Sequence, residues 1–399
     1  MNILLFDHPE IRMSLLPLTY TRPVAGIRLG IGTIAEKWNH DLKTRCGFFT
    51  QDYLQSKYPL KLEEDNLYIN GALCPDEGIL NAISGLAFGE GLQQNGIILA
   101  YRSGPVKSAA QIAVAAAMVS SYPEPLTLIR YNWDLFLQNG HQISVDFARV
   151  TRGRDSEPVT DPNTVIYNPE NLFLEEGVSI KAAIINAEAG PVYLGKGAEV
   201  QEGTIIQGPF AMGENSELRL GGKMRLNTTL GPNCKVGGEV GNVIFQDNSN
   251  KAHEGFLGNS VIGSWCNLGA DTNNSNLKNN YSNVRCWNYH KGSYIDTGLQ
   301  FCGTVMGDHS KCSINTMLNT GSVIGVCTNI HGTGFPPKFV PSFIWGGIQY
   351  NYEHDFEKAC ETAARVMERR SVKFDDMERA ILEKVFQVSL PYRQKVLNL

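Results

Sequence analysis

VMGDHSKCSINTMLNTGSVIGVCTNI, residues 305–330, places Met306, Cys312, Leu318, Ile324 and Ile330 at intervals of six. Six is neither the helical period of about 3.6 nor the strand period of about two. It suits a triangular coil with one short strand per side, each side sending an aliphatic residue inward and turning at small or polar residues. Upstream, the interval recurs at Ile166, Leu172, Val178 and Ile184, at Val192, Ala198, Thr204 and Phe210, and at Phe256, Ile262 and Leu268. Glycine follows several of these positions, as in VIG (261–263), NLG (267–269) and VIG (323–325). One coil cannot bury its own core, so stacking is what stabilises the array.

The repeat fails in two places, 241–256 (GNVIFQDNSNKAHEGF) and 273–304, the latter rich in Asn and aromatic residues. Loops that interrupt a rigid scaffold often carry function. His253 stands in the first break. An imidazole titrates near neutrality and can act as a general base toward an attacking amine or hydroxyl. His290, His309 and His331 are weaker candidates.

Before the repeats, residues 1–131 alternate strand-like runs with helix-like ones. NILLF (2–6), NLYIN (66–70), GIILAYR (96–102) and LTLIRY (126–131) read as strands. Segments 32–44, 78–89 and 107–121 read as helices, which predicts an α/β domain with a largely parallel sheet. Residues 132–163 read as a linker: a short helix, an edge segment, then a polar, turn-rich stretch. Residues 164–350 hold the repeats. The tail, 351–399, carries two amphipathic helices, the second capped by Asp375.

Composition narrows the function classes. The chain has 399 residues, 40 of them glycine, and a formal charge of -5, which gives no case for nucleic acid or a membrane surface. No apolar run reaches the ~18 residues of a membrane span. The N-terminus reads as a first strand and not as a signal peptide. Nine cysteines without a CxxC pair point to reduced, buried thiols in a cytoplasm.

GPFA (208–211), GNVIF (241–245), KAHEGFLGNSVIG (251–263) and NLGADTNNSN (267–276) follow one another in an order that resembles a known family. It is the bifunctional family that makes UDP-N-acetylglucosamine from glucosamine 1-phosphate, whose acetyltransferase half reads GPFA, GNFVE, a His before TYLG, and NIGAGTITCNYDG. The spacings from the His to the first Asn and between the two Asn agree. The resemblance implies a left-handed parallel β-helix of hexapeptide repeats, His253 as catalytic base, and Asn276 and Asn267 around the acceptor and reacting groups. The family's Tyr stands as Phe256. Met212 replaces its Arg after GPFA, so Arg219 or Arg225 would supply the positive charge toward a sugar phosphate. The resemblance further implies acetyl-CoA as acyl donor, a hexosamine phosphate as acceptor, a role in cell-envelope sugar nucleotides, and a homotrimer.

LTYTRPVAGIR (18–28) resembles a divergent bacterial branch of sugar-phosphate nucleotidyltransferases fused to such a β-helix. Those enzymes bind the triphosphate with a glycine-rich loop, but residues 1–25 contain no glycine. Arg12 falls at the family's Arg-Met pair, Arg22 can replace its Lys, and Arg28 adds a third cation. INGALCPD (69–76) stands where relatives carry LNGD, which makes Asn70 and Gly71 nucleotide-binding candidates. Mg2+ is implied for nucleotidyl transfer; Ala72 replaces the metal-binding Asp, leaving Asp76, Asp7 or neither. Two alternatives stay open: an enzyme with one live half, and a non-catalytic trimeric scaffold that senses a sugar nucleotide.

Overall fold

Asn2–Phe6 forms β1, whose apolar run is covered on both faces. The structure, a computed structural model, describes residues 1–114 and 119–397. By its contacts the chain divides into two units, Met1–Ile27 with Gly32–Tyr131, and Arg28–Ile31 with Asn132–Leu399.

In the first unit β1 is followed by α1 (Pro9–Ser14), α2 (Ile34–Leu42), β2 (Gly47–Phe49), β3 (Asn66–Asn70), α3 (Glu77–Ser84), β4 (Gly91–Gln94), β5 (Ile97–Ser103), α4 (Ala109–Val114) and β6 (Val119–Ser121). The sheet order is β2-β1-β3-β5-β4-β6. β1 runs parallel to β2 and β3, β5 is antiparallel to both β3 and β4, and β6 is parallel to β4. The expected largely parallel sheet is therefore mixed, because the six-stranded order inserts the β4–β5 hairpin between β3 and β6. α2 begins at a capping box in which Thr33 and Glu36 exchange side-chain-to-backbone bonds.

Two expected elements change. The 107–121 helix ends early among the described residues: Val119–Ser121 is a strand, and residues 115–118 lie outside the described ones. Segment 126–131 forms a single bridge, Leu73 with Leu128, and no strand of its own.

The second unit opens with α5 (Asn132–Thr151), one 20-residue helix where a short helix and an edge segment were expected. It packs on the solenoid strands Phe210–Met212, Thr228–Leu230, Glu239–Phe245 and Phe256–Ile262. Asn139, fully buried, holds it there: its Nδ2 donates to Asn227 O (2.8 Å) and its Oδ1 accepts from Gly30 N (2.8 Å).

The solenoid has three faces of parallel strands. The first stacks Val165–Tyr167, Ile184–Asn186, Ile205–Gln207 and Lys223–Met224. The second stacks Leu172–Leu174, Val192–Leu194, Phe210–Met212 and Thr228–Leu230. The third runs through Glu199–Val200, Glu217–Leu218, Lys235–Val236, Asn250–Lys251, Asn267–Leu268 and Lys311–Cys312. Inside, aliphatic residues form ladders such as Leu194, Met212 and Leu230, with a small residue two positions earlier on the third face: Ala198, Ser216, Cys234, Ser249 and Cys266. Small residues fit because both positions point inward along a strand. Their polar atoms are satisfied by the next coil: Ser216 Oγ donates to Gly231 O (2.7 Å) and accepts from Cys234 N (2.9 Å).

The six-residue interval is thus correct, but its phase differs in places. Val192, Ala198, Thr204 and Phe210 are the earlier inward position, and the aliphatic ladder falls at 194, 200, 206 and 212. The corner after Ile180 is short by one residue, so Ile185 faces the core and Ile184 is 41% exposed. Met306, Cys312, Leu318, Ile324 and Ile330 are all buried.

Residues 275–303 leave the solenoid between its first and second faces and return as a hairpin, Arg285–Asn288 against Ser293–Asp296. The chain ends in α6 (Phe356–Glu368), α7 (Asp376–Val388) and α8 (Leu390–Leu397). Asp375 caps α7 by accepting from Glu378 N (2.9 Å). Phe343 of the solenoid meets Phe356 and Phe386 of these helices, which cover the last coils. All nine cysteines are free and buried.

Candidate active site

In the first unit the parallel strands β1, β2 and β3 end side by side, the place where open α/β sheets bind ligands. Asp7 follows β1. Its Oδ1 accepts from Val24 N (2.8 Å) and its Oδ2 from Thr50 Oγ1 (2.6 Å), with Arg12 Nε 3.7 Å away. Burial raises the Asp7 pKa, against the pull of Arg12, Thr50 and Val24. Arg12 is itself an internal brace, donating to Thr19 O (3.0 Å) and Tyr53 Oη (2.8 Å). Arg22 lies buried in the same unit.

Asn70, fully buried, donates to Ile98 O (2.9 Å) and accepts from Ala72 N (3.0 Å). Gly71 passes so close to its neighbours that a Cβ would stand 3.2 Å from both Ala25 N and Phe6 O. Arg28 belongs to the second unit, where its Nε meets Asp247 Oδ1 (3.2 Å) and its Nη1 donates to Ile31 O (2.7 Å). Asp76 caps α3 through Ile79 N (2.8 Å). Among the described residues no three His, Cys, Asp or Glu side chains gather as metal ligands. Asp7 accepts one hydrogen bond at each oxygen within the fold, and Asp76 uses Oδ1 for its cap.

On the solenoid, His253 occupies the corner that joins the third face to the first. The ring is exposed and accepts or donates no hydrogen bond among the described residues. Gly255 turns the corner at φ 117°, where a Cβ would lie 2.3 Å from Thr272 O, so only glycine fits. A cavity of about 220 Å³ lies here, lined by His253, Arg219, Leu220, Gly238, Ala252 and Glu254. Lys251 lies beneath, fully buried in the slot that aliphatic residues fill in other coils. Its Nζ donates to His253 O (2.9 Å) and Gly237 O (3.3 Å). Burial pushes its pKa down to about 8, against the pull of Glu254 and Asp271. Nothing in the periodicity marks Lys251; a lysine at an inward position would have been the signal.

The structure therefore brings His253 and Arg219 together. Arg219 also pairs with Glu217, whereas Arg225 lies on the first face beside Glu239 (3.2 Å). Asn276 lies at the far end of the first face, where its Nδ2 donates to Asn259 Oδ1 (2.7 Å). Asn267 points outward from the third face and lines a different, larger cavity under α6. His253 and Asn267 therefore line different cavities, and Asn276 lines neither of these two.

Residues 3–155 match the family model described as sugar nucleotidyl transferase, a span that runs past the first unit through α5. A bifunctional sugar-1-phosphate nucleotidylyltransferase/acetyltransferase of Sulfurisphaera tokodaii is 31% identical over 160 residues, 40% of this chain and 37% of that protein. The bifunctional protein GlmU of Clostridioides difficile is 30% identical over 116 residues, 29% of this chain and 24% of that protein. An uncharacterized acetyltransferase, YaiX, of Escherichia coli O6:K15:H31 is 26% identical over 163 residues, 40% of this chain and 69% of that protein. The matches thus span well under half of the first two relatives. The match to the sugar nucleotidyl transferase model and the nucleotidylyltransferase/acetyltransferase and acetyltransferase relatives together support a transferase.

Proposed function

We propose that the chain is a two-part transferase of sugar-nucleotide synthesis. The observation that carries this reading is the union, in one chain, of a match to sugar nucleotidyl transferase and a β-helix whose break exposes an unbonded histidine next to an arginine. On the solenoid, the His253 imidazole acts as the base that takes the proton from an attacking sugar amine. The nitrogen bonds to the thioester carbonyl of acetyl-CoA, and collapse of the tetrahedral adduct expels the thiolate of CoA, which takes up a proton. Arg219 balances the acceptor's phosphate charge, Arg225 being the alternative; the acceptor-orienting role that the resemblance gives Asn276 and Asn267 could be met at this corner only from a neighbouring copy, since within one chain they lie elsewhere. The acceptor is a hexosamine phosphate such as glucosamine 1-phosphate. The first unit would join the sugar 1-phosphate to a nucleoside triphosphate with release of pyrophosphate, at the strand ends that hold Arg22, Asn70 and Gly71.

The working form we propose is a cytoplasmic homotrimer with the acyl donor held between neighbouring copies. Val165, Ile184 and Ile205 support this: they pair in register, face outward and are 47%, 41% and 40% exposed. An apolar row of this kind favours burial against another copy. In such an assembly a neighbour would complete the site around His253.

The test is purified chain with glucosamine 1-phosphate, acetyl-CoA and UTP, following thiol and pyrophosphate separately. His253→Ala should lower thiol release by about 10²-fold or more. Release that survives the substitution sinks the assignment of the base. A second reading has its own support: Arg12, Asp7 and Asn70 are spent on internal bonds, which favours a first unit that binds a sugar nucleotide without making one. Thiol release without pyrophosphate is the outcome it requires.

A further inference from the structure

The cavity under α6 is the larger of the two, about 470 Å³. Its floor is a row of outward side chains on three stacked strands, Asn250, Asn267 and Lys311, paired in register. Its roof is the end of α6 and the turn after it, with Arg369 and Arg370. Arg370 Nη2 donates to Asn250 Oδ1 (2.9 Å), and Lys311 Nζ donates to His309 O (2.8 Å). Lys235, at the edge, is paired with Glu217 (2.7 Å). Lys311, Arg369 and Arg370 have no carboxylate within salt-bridge distance among the described residues. Three uncompensated cations thus converge on one cavity of a chain whose net charge is -5.

Two neighbours add to the pattern. Trp265 lines the cavity with φ 63°, at the corner where earlier coils place Asn215, Asn233 and Asn248 in the same left-handed conformation. Later coils place His309, Cys327 and Phe343 in that conformation at the same corner, so the backbone there is a habit of the solenoid; what Trp265 adds is an aromatic ring at the cavity, stacked on His309 with centroids 6.1 Å apart. Asn248 Oδ1, also at the cavity, is buried and has no hydrogen-bond donor among the described residues.

We propose that this cavity is a binding site for the phosphate of a small phosphorylated ligand. Two guanidinium groups and an ammonium supply charge-assisted donors, and the Asn250 and Asn267 amides add neutral ones. The Trp265 face receives the sugar or base next to the phosphate, and Asn248 Oδ1 accepts from one of its hydroxyls. Burial lowers the Lys311 pKa, and an anion in the cavity acts against that shift. The inference does not rest on His253 being a base. It gives Asn267 a partner under α6 in place of one at the His253 corner.

The full-length chain is titrated with inorganic phosphate, glucose 1-phosphate and adenosine 3′,5′-bisphosphate, following heat and tryptophan fluorescence. At least one should bind, and the tightest of the three tells a bare phosphate from a sugar or nucleotide source. Arg369→Ala with Arg370→Ala should weaken binding at least ~10-fold, and the corresponding pair of Lys substitutions should restore most of it. Should the alanine pair fold poorly, Arg369→Glu alone, at an exposed position, must weaken binding too. Failure of all three probes to bind below about 10 mM overturns the proposal. So does binding that the Arg369 and Arg370 substitutions leave within about twofold, since the anion then sits elsewhere in the chain.

Discussion

Lys251 is a charged residue at an inward position of an otherwise aliphatic ladder, beneath the candidate His253 corner. A charged side chain in an aliphatic slot is destabilising unless something holds it, and here two carbonyls do. Folding lowers its pKa from the ordinary 10.5 to about 8. Between those values the unfolded chain binds a proton that the folded chain has released, so folded-state stability rises with pH across that window. A shift of that size corresponds to roughly 3 kcal/mol. Lys251→Met should therefore stabilise the chain at pH 7 by about 1–2 kcal/mol, less than the full shift because Gly237 O and His253 O lose their donor. The advantage should shrink as pH rises from 8 toward 10.5. Urea unfolding at pH 7 and pH 10 checks this, and a pH-independent difference would refute it. The His253→Ala test belongs to the same scale, because the ring touches nothing whose loss would unfold the corner.

At the scale of elements, α5 was the least legible part of the second unit. Its sequence, NWDLFLQNGHQISVDFAR, mixes polar residues that look like linker with apolar ones that look like helix. Only the solenoid surface beneath it explains the polar ones. Asn139 binds the backbone of Asn227 and Gly30, and Asp146 Oδ2 accepts from Ile31 N (2.9 Å). These bonds fasten residues 28–31 into the second unit, where Arg28 sits beside Asp247. Asn139→Ala should cost about 2–4 kcal/mol, since it strands several buried partners at once. Leu137→Ala, at an exposed position of the same helix, should cost under about 1 kcal/mol. Urea titrations followed by far-UV circular dichroism compare the two; equal costs would mean that Asn139 is no fastener.

For the whole molecule, the exposed row of Val165, Ile184 and Ile205 is the feature that a single chain leaves unexplained. Ile205→Glu places a carboxylate at the end of that row, in register with Ile184 on one side and Lys223 on the other. If copies associate through it, the variant should run as a monomer in size-exclusion chromatography with light scattering, while the unaltered chain runs as a trimer. Identical masses for both would remove this row from the interface. No helix among the described residues is long and apolar enough to cross a membrane.

The six-residue interval alone determined the β-helix, because stacked coils impose a strict local period that any stretch of sequence repeats. Its phase did not follow, since two inward positions per side are both acceptable and one short corner, after Ile180, shifts the count. β1 and β3 were legible as apolar runs bounded by turn residues, whereas the short strand β4 was not, and the place of the local β4–β5 hairpin between β3 and β6 depends on long-range pairing. At the candidate site, the sequence singled out His253 through a break in the repeat. Only the tertiary structure placed Arg219 beside it, drew Asn267 to another face, and set Arg369 and Arg370 above Lys311. Arg219 and His253 are 34 positions apart and Lys311 and Arg370 are 59 apart, and it is coil stacking and the return of α6, not any local pattern, that brings them together.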